Sequence, residues 1–364
     1  MNNSLTIRHI QNYSLDVPLA APFTTSSSAL EVLNNMALCI ELADGSRGWG
    51  EVPILPPITV EDPASARVAL EDAAGWLLNR DAGAWRRIAG ELAERIPQLA
   101  SVRAGIEMAV IDAMTQHWDI PLFRFLGGYQ DSVVTDITIP ICPADAAEQL
   151  AERYRHAGFT TLKVKIGLDL GEDLNRVLAI RRGHSNGRLI LDANAGYSVA
   201  ETFELLRELR LAKLEVALLE QPVAREDWEG LGKLAREAGV PVAADESCRT
   251  PEDAIRIAQH KLAQVINIKL AKCGVAQALE IAALARAHGL ALMIGGMVET
   301  RLAMGFSAHF AAGLGGFDWT DLDTPLLLAE DPVSGGYRTV GARYLLDTGT
   351  GGHGGQLRVA TRQA

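Results

Sequence analysis

Along the middle of the 364-residue chain a unit of apolar run, polar tip and helical stretch recurs, and this repeat restricts the fold more than any other feature. The runs Leu189-Ile190-Leu191, Val216-Ala217-Leu218-Leu219, Val240-Pro241-Val242-Ala243-Ala244 and Val265-Ile266-Asn267-Ile268 stop at Asp192, Glu220, Asp245 and Lys269. Apolar runs of this length with polar ends read as buried strands. The intervening stretches 199–212, 227–239 and 251–261 carry apolar residues at helical spacing. From Lys165 onward the tips fall at 192, 220, 245, 269, near Gly295 and near Asp321, a period of 24 to 28 residues. An eighth strand is available upstream in Val133-Val134-Thr135-Asp136-Ile137-Thr138. Eight strands alternating with helices predict an α/β fold, a (β/α)8-type barrel, which gathers functional residues at the carboxyl ends of its strands.

A barrel of this kind takes roughly 200 to 250 residues, leaving about 100 for a second unit. The expected organisation is an α+β capping domain over 1–125, the barrel over 126–330, and a C-terminal segment over 331–364 that returns to the capping domain. Leu5 to Val17 and Asn34 to Glu51 read as strands, the second folded into a hairpin at Asp44-Gly45. Two or three helices follow, with Ala100 to His117 the clearest. Tyr337 to Val340 and Gln356 to Val359 are the strand-like pieces expected to make the return. No linker rich in Pro, Gly or Ser separates the parts, which predicts tight packing between them.

A net charge of −11 argues against nucleic acid or an anionic membrane as a partner. Cys39, Cys142, Cys248 and Cys273 show neither a CxxC pair nor zinc spacing and read as buried reduced thiols. The polar start and the lack of an apolar run of ~18 residues make a cytoplasmic enzyme the expectation. A homo-oligomer is left open.

Taken singly, each tip acid would do no more than cap the helix after it. Three at consecutive tips, Asp192, Glu220 and Asp245, would crowd like charges above the barrel mouth unless a cation neutralises them. Oxygen-only ligands with open positions suit Mg2+ better than Ca2+ or zinc. Asn194, on the same strand face as Asp192, and Glu246 are candidates for supporting contacts. Lys163 and Lys165 are two apart on a strand, so both side chains point one way, into the barrel. Two adjacent ammonium groups are expected to lower the pKa of one towards the range of a useful base. Lys269 stands on the sixth strand, across the ring from the second. A base on either side of a metal-bound substrate suits removal of a proton from one face and return of a proton to the other.

Lys163-Val-Lys165, Asp192-Ala-Asn194, Glu220-Gln-Pro222, Asp245-Glu246-Ser and Lys269-Leu-Ala-Lys272, together with Gly48-Trp49-Gly50-Glu51 upstream, resemble the enolase superfamily, in particular its muconate-lactonizing-enzyme subgroup. The likeness spans nearly the whole chain and implies an enolase-like, modified TIM barrel. It implies Mg2+ on Asp192, Glu220 and Asp245, binding of the substrate carboxylate by the metal, and stabilisation of an enolate. Lys165 would be the base on one face and Lys269 the acid or base on the other, with Lys163 assisting.

The subgroup includes muconate cycloisomerases, o-succinylbenzoate synthases, N-acylamino acid racemases and dipeptide epimerases. At the eighth tip Asp321-Leu322-Asp323 resembles the dipeptide epimerases, where such a pair binds the free amino group of the substrate. Two carboxylates on one strand face suit an ammonium and oppose muconate. The resemblance implies an isomerase, an epimerase acting by 1,1-proton transfer at the α-carbon of the C-terminal residue of an L,L-dipeptide. Lactonization, dehydration or N-acylamino acid racemization are the alternatives, and a barrel that binds a ligand without turnover is a remote one. Thr138, Lys163, Lys269 and Met297 would line the rest of the pocket.

Loops at about 20–30 and 53–61 would cover the site. Family members acting on Ala-Glu carry an Arg five residues after a Pro-Phe pair; here Pro22-Phe23 is followed at that place by Ser28. Ile54, Leu55, Pro56 and Pro57 tilt the expectation towards an uncharged or hydrophobic side chain. Gly351-Gly352-His353-Gly354-Gly355 reads as a turn, no histidine occupies a strand tip, and Glu299 either enters the site or caps the next helix.

Overall fold

The computed structural model describes residues 3–26, 28–56 and 58–358. Ser27, Pro57 and Val359 lie outside them, so the loop and strand expectations that fall on those three residues stay expectations. The chain opens with an antiparallel sheet of β1 (Ile7–Thr24), β2 (Ala29–Leu42) and β3 (Arg47–Val52). In β1, Leu15, Val17 and Leu19 are buried while Asp16, Pro18 and Ala20 are exposed, the alternation of a sheet with one covered face. The strand runs past the expected end at Val17 to Thr24. The β2–β3 turn is at Gly45, φ +90°. Three helices follow, α1 (Pro63–Leu77), α2 (Trp85–Arg95) and α3 (Ala100–His117). Asp62 and Ser65 form a capping box at the start of α1, with Pro63 in the first turn. A Cβ on Gly48 or Gly50 would come within 2.0 Å of Ala113 N or Gly105 O, so the Gly-x-Gly spacing lets β3 lie directly on α3.

Eight strands then form one parallel sheet in chain order: Ile137–Ile139, Thr161–Lys165, Arg188–Asp192, Leu218–Glu220, Val242–Ala244, Val265–Lys269, Ala291–Gly295 and Trp319–Thr320. Asp136 N–H donates to Thr320 O at 2.9 Å and Leu322 N–H to Thr135 Oγ1 at 2.9 Å, which brings the eighth strand back to the first. Below the strand tips Ile190, Leu218, Ala243, Val265, Met293 and Trp319 pack into an apolar floor.

The expected first strand is corrected: only Ile137–Ile139 belongs to the barrel, while Ser132–Val134 pairs antiparallel with Arg343–Leu346. Both pieces are β-formers, and nothing local tells which sheet each joins. The C-terminal strand pieces pair among themselves. Tyr337–Val340 pairs with Arg343–Leu346, and Gln356–Leu357 with Val333–Ser334, so neither piece adds to the N-terminal sheet. Val333 and Leu357 share an apolar cluster with Leu15, Val17 and Leu33 of that sheet, and the glycine-rich turn adds polar contacts to the same unit. Leu122 N–H donates to Gly352 O at 2.8 Å and His353 N–H to the buried Asp112 at 2.8 Å. Gly352 sits at φ +71°, a conformation that favours glycine.

All four cysteines are free; Cys39, Cys248 and Cys273 are buried and Cys142 is half-buried. Among the described residues no helix is long and apolar enough to cross a membrane.

Candidate active site

Strand register assembles the mouth of the barrel. Thr138 lies opposite Lys163, Lys165 opposite Asp192, and Asp192 opposite Glu220, so each tip side chain faces the next around the ring. Lys163 and Lys165 are 1% and 6% exposed, both inside the barrel as their spacing requires. Lys163 Nζ lies 3.0 Å from Asp192 Oδ2, 2.9 Å from Glu220 Oε2 and 2.6 Å from Asp321 Oδ2. Lys165 Nζ donates to Asp192 Oδ2 at 2.6 Å and Asn194 Oδ1 at 3.0 Å. Asn194 Nδ2 in turn donates to Glu246 at 3.3 Å, so both expected supporting residues join the network. On the far side Lys269 Nζ is 2.7 Å from Asp245 Oδ2, and Lys272 donates to Asp245 Oδ1 at 2.6 Å, Asp245 O at 2.6 Å and Asn267 O at 2.8 Å.

These contacts set the electrostatics of Lys163 and Lys269. Burial by itself would lower the pKa of Lys163, but Asp192, Asp321 and Glu220 raise it well above the ordinary lysine value. Lys269 is raised too, by Asp245 against the effect of burial. Around Lys163 and Lys269 the neighbouring carboxylates outweigh burial. Burial also works against ionisation of Asp192 and Asp245, yet Lys163 and Lys165 hold the first, and Lys269 and Lys272 the second, below the usual carboxylate range. Glu220 goes the other way, pushed up to about 8 by burial and then by Asp192.

The donor set fits a hard divalent cation. Glu220 Oε2 and Asp245 Oδ2 are sealed from solvent without a well-formed hydrogen bond, each merely facing an ammonium. Such atoms are costly unless a cation meets them. The ammonium groups of Lys163, Lys165 and Lys269 stand where positive charge is required. Among the described residues, the trio of carboxylates that crowds within 4.8 Å is a different one, Asp136, Asp321 and Asp323. Asp192, Glu220 and Asp245 are spread by the lysines between them.

At the eighth tip Asp321 receives Lys163, and Asp323 Oδ2 accepts the Thr138 backbone N–H at 2.6 Å. A cavity opens above these groups. Thr138, Lys163, Lys165, Lys269, Asp321 and Asp323 form its polar wall, and Phe23, Leu30, Leu55, Ile58, Met297 and Val298 its apolar wall, with Ser28 at the rim. Thr138 and Met297 are therefore in the pocket. Glu299 takes neither expected course: it is buried, accepts the Met297 N–H at 2.9 Å, and leaves the helix cap to Thr300. Burial and then Glu51 push its carboxyl up to about 8.

Asp136, Ser26 and Arg249 belong to no motif that singles them out in the sequence, whereas Lys272 closes the Lys269-Leu-Ala-Lys272 run. Asp136 lies two before Thr138 on the same strand face, and that spacing is the one signal that could reveal it. Lys272 holds Asp245 from behind. Ser26 Oγ donates to Ala193 O at 2.8 Å and Arg249 Nη2 to Ile58 O at 2.9 Å, fastening the two covering loops to strand tips. The cap itself is pinned through Glu51, which accepts from Asn35 Nδ2 at 2.8 Å, Thr300 Oγ1 at 2.7 Å and Thr300 N–H at 3.0 Å.

Residues 8–127 match the mandelate racemase/muconate lactonizing enzyme N-terminal domain, and residues 145–358 match the enolase C-terminal domain-like family. An L-Ala-D/L-amino acid epimerase of Populus trichocarpa is 50% identical over 360 residues, 97% of this chain and 85% of that protein. An aromatic dipeptide epimerase of Herpetosiphon aurantiacus is 41% identical, with 97% of this chain and 99% of that protein covered. The crystal structure of a dipeptide epimerase from Enterococcus faecalis V583, complexed with Mg and L-Leu-L-Tyr, superposes with a TM-score of 0.92 at 30% identity, covering 96% of this chain and 99% of that one. The chain thus belongs to the mandelate racemase/muconate lactonizing enzyme family of enolase-like barrels, and it is an isomerase of the racemase and epimerase kind.

Proposed function

We propose that the protein is a Mg2+-dependent dipeptide epimerase that inverts the α-carbon of the C-terminal residue of an L,L-dipeptide through an enolate. The observation that carries the reading is the placement of three groups around one cavity: Lys165 on the second strand, Lys269 on the sixth, and the Asp321/Asp323 pair on the eighth. Strands two and six are diametric in a ring of eight, so the lysines address opposite faces of a substrate held between them. Asp192, Glu220 and Asp245 would hold Mg2+, which supplies positive charge to the substrate carboxylate as the α-proton leaves. Lys165 takes the proton from one face and Lys269 returns one to the other; Lys163 shields the developing charge. The same two lysines serve the reverse direction with roles exchanged. Asp321 and Asp323 hold the substrate's N-terminal ammonium and thereby set which α-carbon reaches the bases.

The apolar wall supports an uncharged, apolar C-terminal side chain. Ser28 at the rim brings no cation for an acidic one, and Leu55, Ile58 and Met297 offer only apolar surface. The epimerases named above act on related dipeptides, which supports the same class. We read the enzyme as cytoplasmic.

Incubation with a library of L,L-dipeptides in D2O with Mg2+ tests the proposal. Deuterium is expected at the C-terminal α-carbon together with the L,D epimer, most rapidly for apolar side chains. Absence of exchange across the library would overturn the reading.

A further inference from the structure

Asp136 has no part in the proton transfers between the two lysines, yet it occupies an unusual place. It precedes the first barrel strand, two residues before Thr138, and borders a second cavity with Thr161, Arg188, Ile190 and Trp319. It is 2% exposed, and neither carboxyl oxygen meets a hydrogen-bond donor among the described residues. Its carboxyl oxygens come within 4.8 Å of those of Asp321 and Asp323. Both neighbours already have partners: Lys163 Nζ lies on Asp321 Oδ2 and the Thr138 N–H on Asp323 Oδ2, each at 2.6 Å. Lys163 is itself shared with Asp192 and Glu220. Three buried carboxylates thus face a fraction of one ammonium.

That charge count does not balance with all three ionised. Like charges this close in a low-dielectric interior force one group to keep its proton. Among the described residues, the proton belongs on the group whose oxygens both lack a donor. A protonated carboxyl beside a carboxylate becomes a strong donor rather than a repelling charge. We propose that Asp136 is a positioning residue of the ammonium subsite, a neutral carboxylic acid that donates a hydrogen bond to Asp321 and holds it between Lys163 and the substrate's α-ammonium. Burial, followed by Asp321 and Asp323, pushes the Asp136 carboxyl well above its ordinary range, in keeping with that state. A carboxylate anchored from below and from the side leaves its remaining lone pairs aimed at the cavity. Asp136 acts through Asp321 and touches no reacting atom.

The inference rests on the dipeptide reading, and two measurements keep their failures apart. Difference infrared spectra of the intact parent and Asp136→Asn at neutral pH need no turnover. A protonated-carboxyl stretching band that shifts in D2O is expected in the parent and not in the variant; its absence from the parent overturns the inference whatever the substrate. Steady-state kinetics with Mg2+ and an apolar dipeptide supply the second arm. Asp136→Asn keeps a donor towards Asp321, so its KM should stay within about threefold of the parent. Asp136→Ala removes the donor and should raise KM by roughly tenfold or more with kcat changed less than about threefold. An N-acetylated dipeptide, lacking the ammonium, should bind parent and Asp136→Ala alike as a competitive inhibitor. Equal damage from Asn and Ala, or an unchanged KM in Asp136→Ala, overturns the proposal. Should the Ala variant not fold, the infrared band and the Asn variant decide it. A parent that epimerizes no dipeptide would defeat the functional reading and leave the infrared result standing by itself.

Discussion

Lys163 lies within 3.0 Å of three carboxylates contributed by three different strands, whereas the covering loops reach the same cavity from segments fastened to the barrel by neutral or singly charged contacts such as Ser26 to Ala193 and Arg249 to Ile58. The mouth is cross-linked by buried charge, so removing one member leaves others uncompensated. Phe23 at the end of β1, and Leu55 and Ile58 in the second loop, line the cavity through contacts that can be lost one at a time. In the proposed reading, reaction chemistry is built into the part of the molecule that tolerates least change, and substrate choice into the part that tolerates most.

The sharpest way to break this contrast is at the bases. Lys165→Ala and Lys269→Ala are each expected to lower epimerization by on the order of 10^2 to 10^4. Each variant should still exchange deuterium into the epimer whose proton the remaining lysine removes, detectable by proton NMR. Interconversion at the parent rate in either variant would break the two-base assignment.

Glu51 tests the seam between the regions. Its carboxylate accepts from Asn35, the Thr300 N–H and hydroxyl, and the Ala303 N–H, at the start of the helix Arg301–Leu314 that follows the seventh strand. Glu51→Ala would strand those buried donors and should cost about 2 to 4 kcal/mol in denaturant unfolding. A loss below about 1 kcal/mol would mean the cap docks without this anchor.

Asp323 sharpens the contrast from the mouth's side through pH. Burial and then Asp321 push its carboxyl up to about 7. Below that pH the group is neutral and offers the substrate ammonium no charge. With saturating Mg2+, kcat/KM should rise through about pH 7, by up to about tenfold per unit, because it reports the free enzyme. It should fall again as the dipeptide's own α-ammonium, with an ordinary pKa of about 7.7 to 8.0, loses its proton. Asp323→Asn should flatten the acid limb and leave the alkaline one.

The same divide explains which parts of the molecule are legible in the sequence. Asp192, Glu220, Asp245 and Lys269 end buried strands, and a polar residue closing an apolar run is visible in one dimension. The barrel and its ring of tips follow from that periodicity, and the Lys163/Lys165 face from a spacing of two. Asp136 opens a strand instead of closing one, and so carries no such mark. The raised pKa of Lys163 is not legible in the Lys163/Lys165 spacing, because Asp192, Glu220 and Asp321 arrive from elsewhere in the chain. Val133 and Val134 are legible as strand but not as belonging to a second sheet, since partner choice lies in Arg343–Leu346. Ser26 and Arg249 end on backbone carbonyls 167 and 191 residues away, and a carbonyl has no sequence signature.

Those two loop contacts give the smallest expected effects and bear on the loops' half of the contrast. Ser26 Oγ reaches the carbonyls of Ala193, at 2.8 Å, and Asn194, at 3.1 Å, immediately after Asp192. Arg249, four residues beyond Asp245, holds Ile58 O, and Ile58 lines the apolar wall. Each contact joins a loop to a strand tip without touching a lysine or a tip acid. Losing one neutral hydrogen bond forfeits about 0.5 to 1.5 kcal/mol, the charged one somewhat more. Ser26→Ala should therefore raise KM for an apolar dipeptide by roughly two- to tenfold, and Arg249→Met by at least as much, with kcat changed less than about twofold. Proteins whose loops only choose the substrate must show that split between KM and kcat. If kcat fell in step with the rise in KM, the loops would be aligning the α-carbon between Lys165 and Lys269, and the division of labour between mouth and cover would fail.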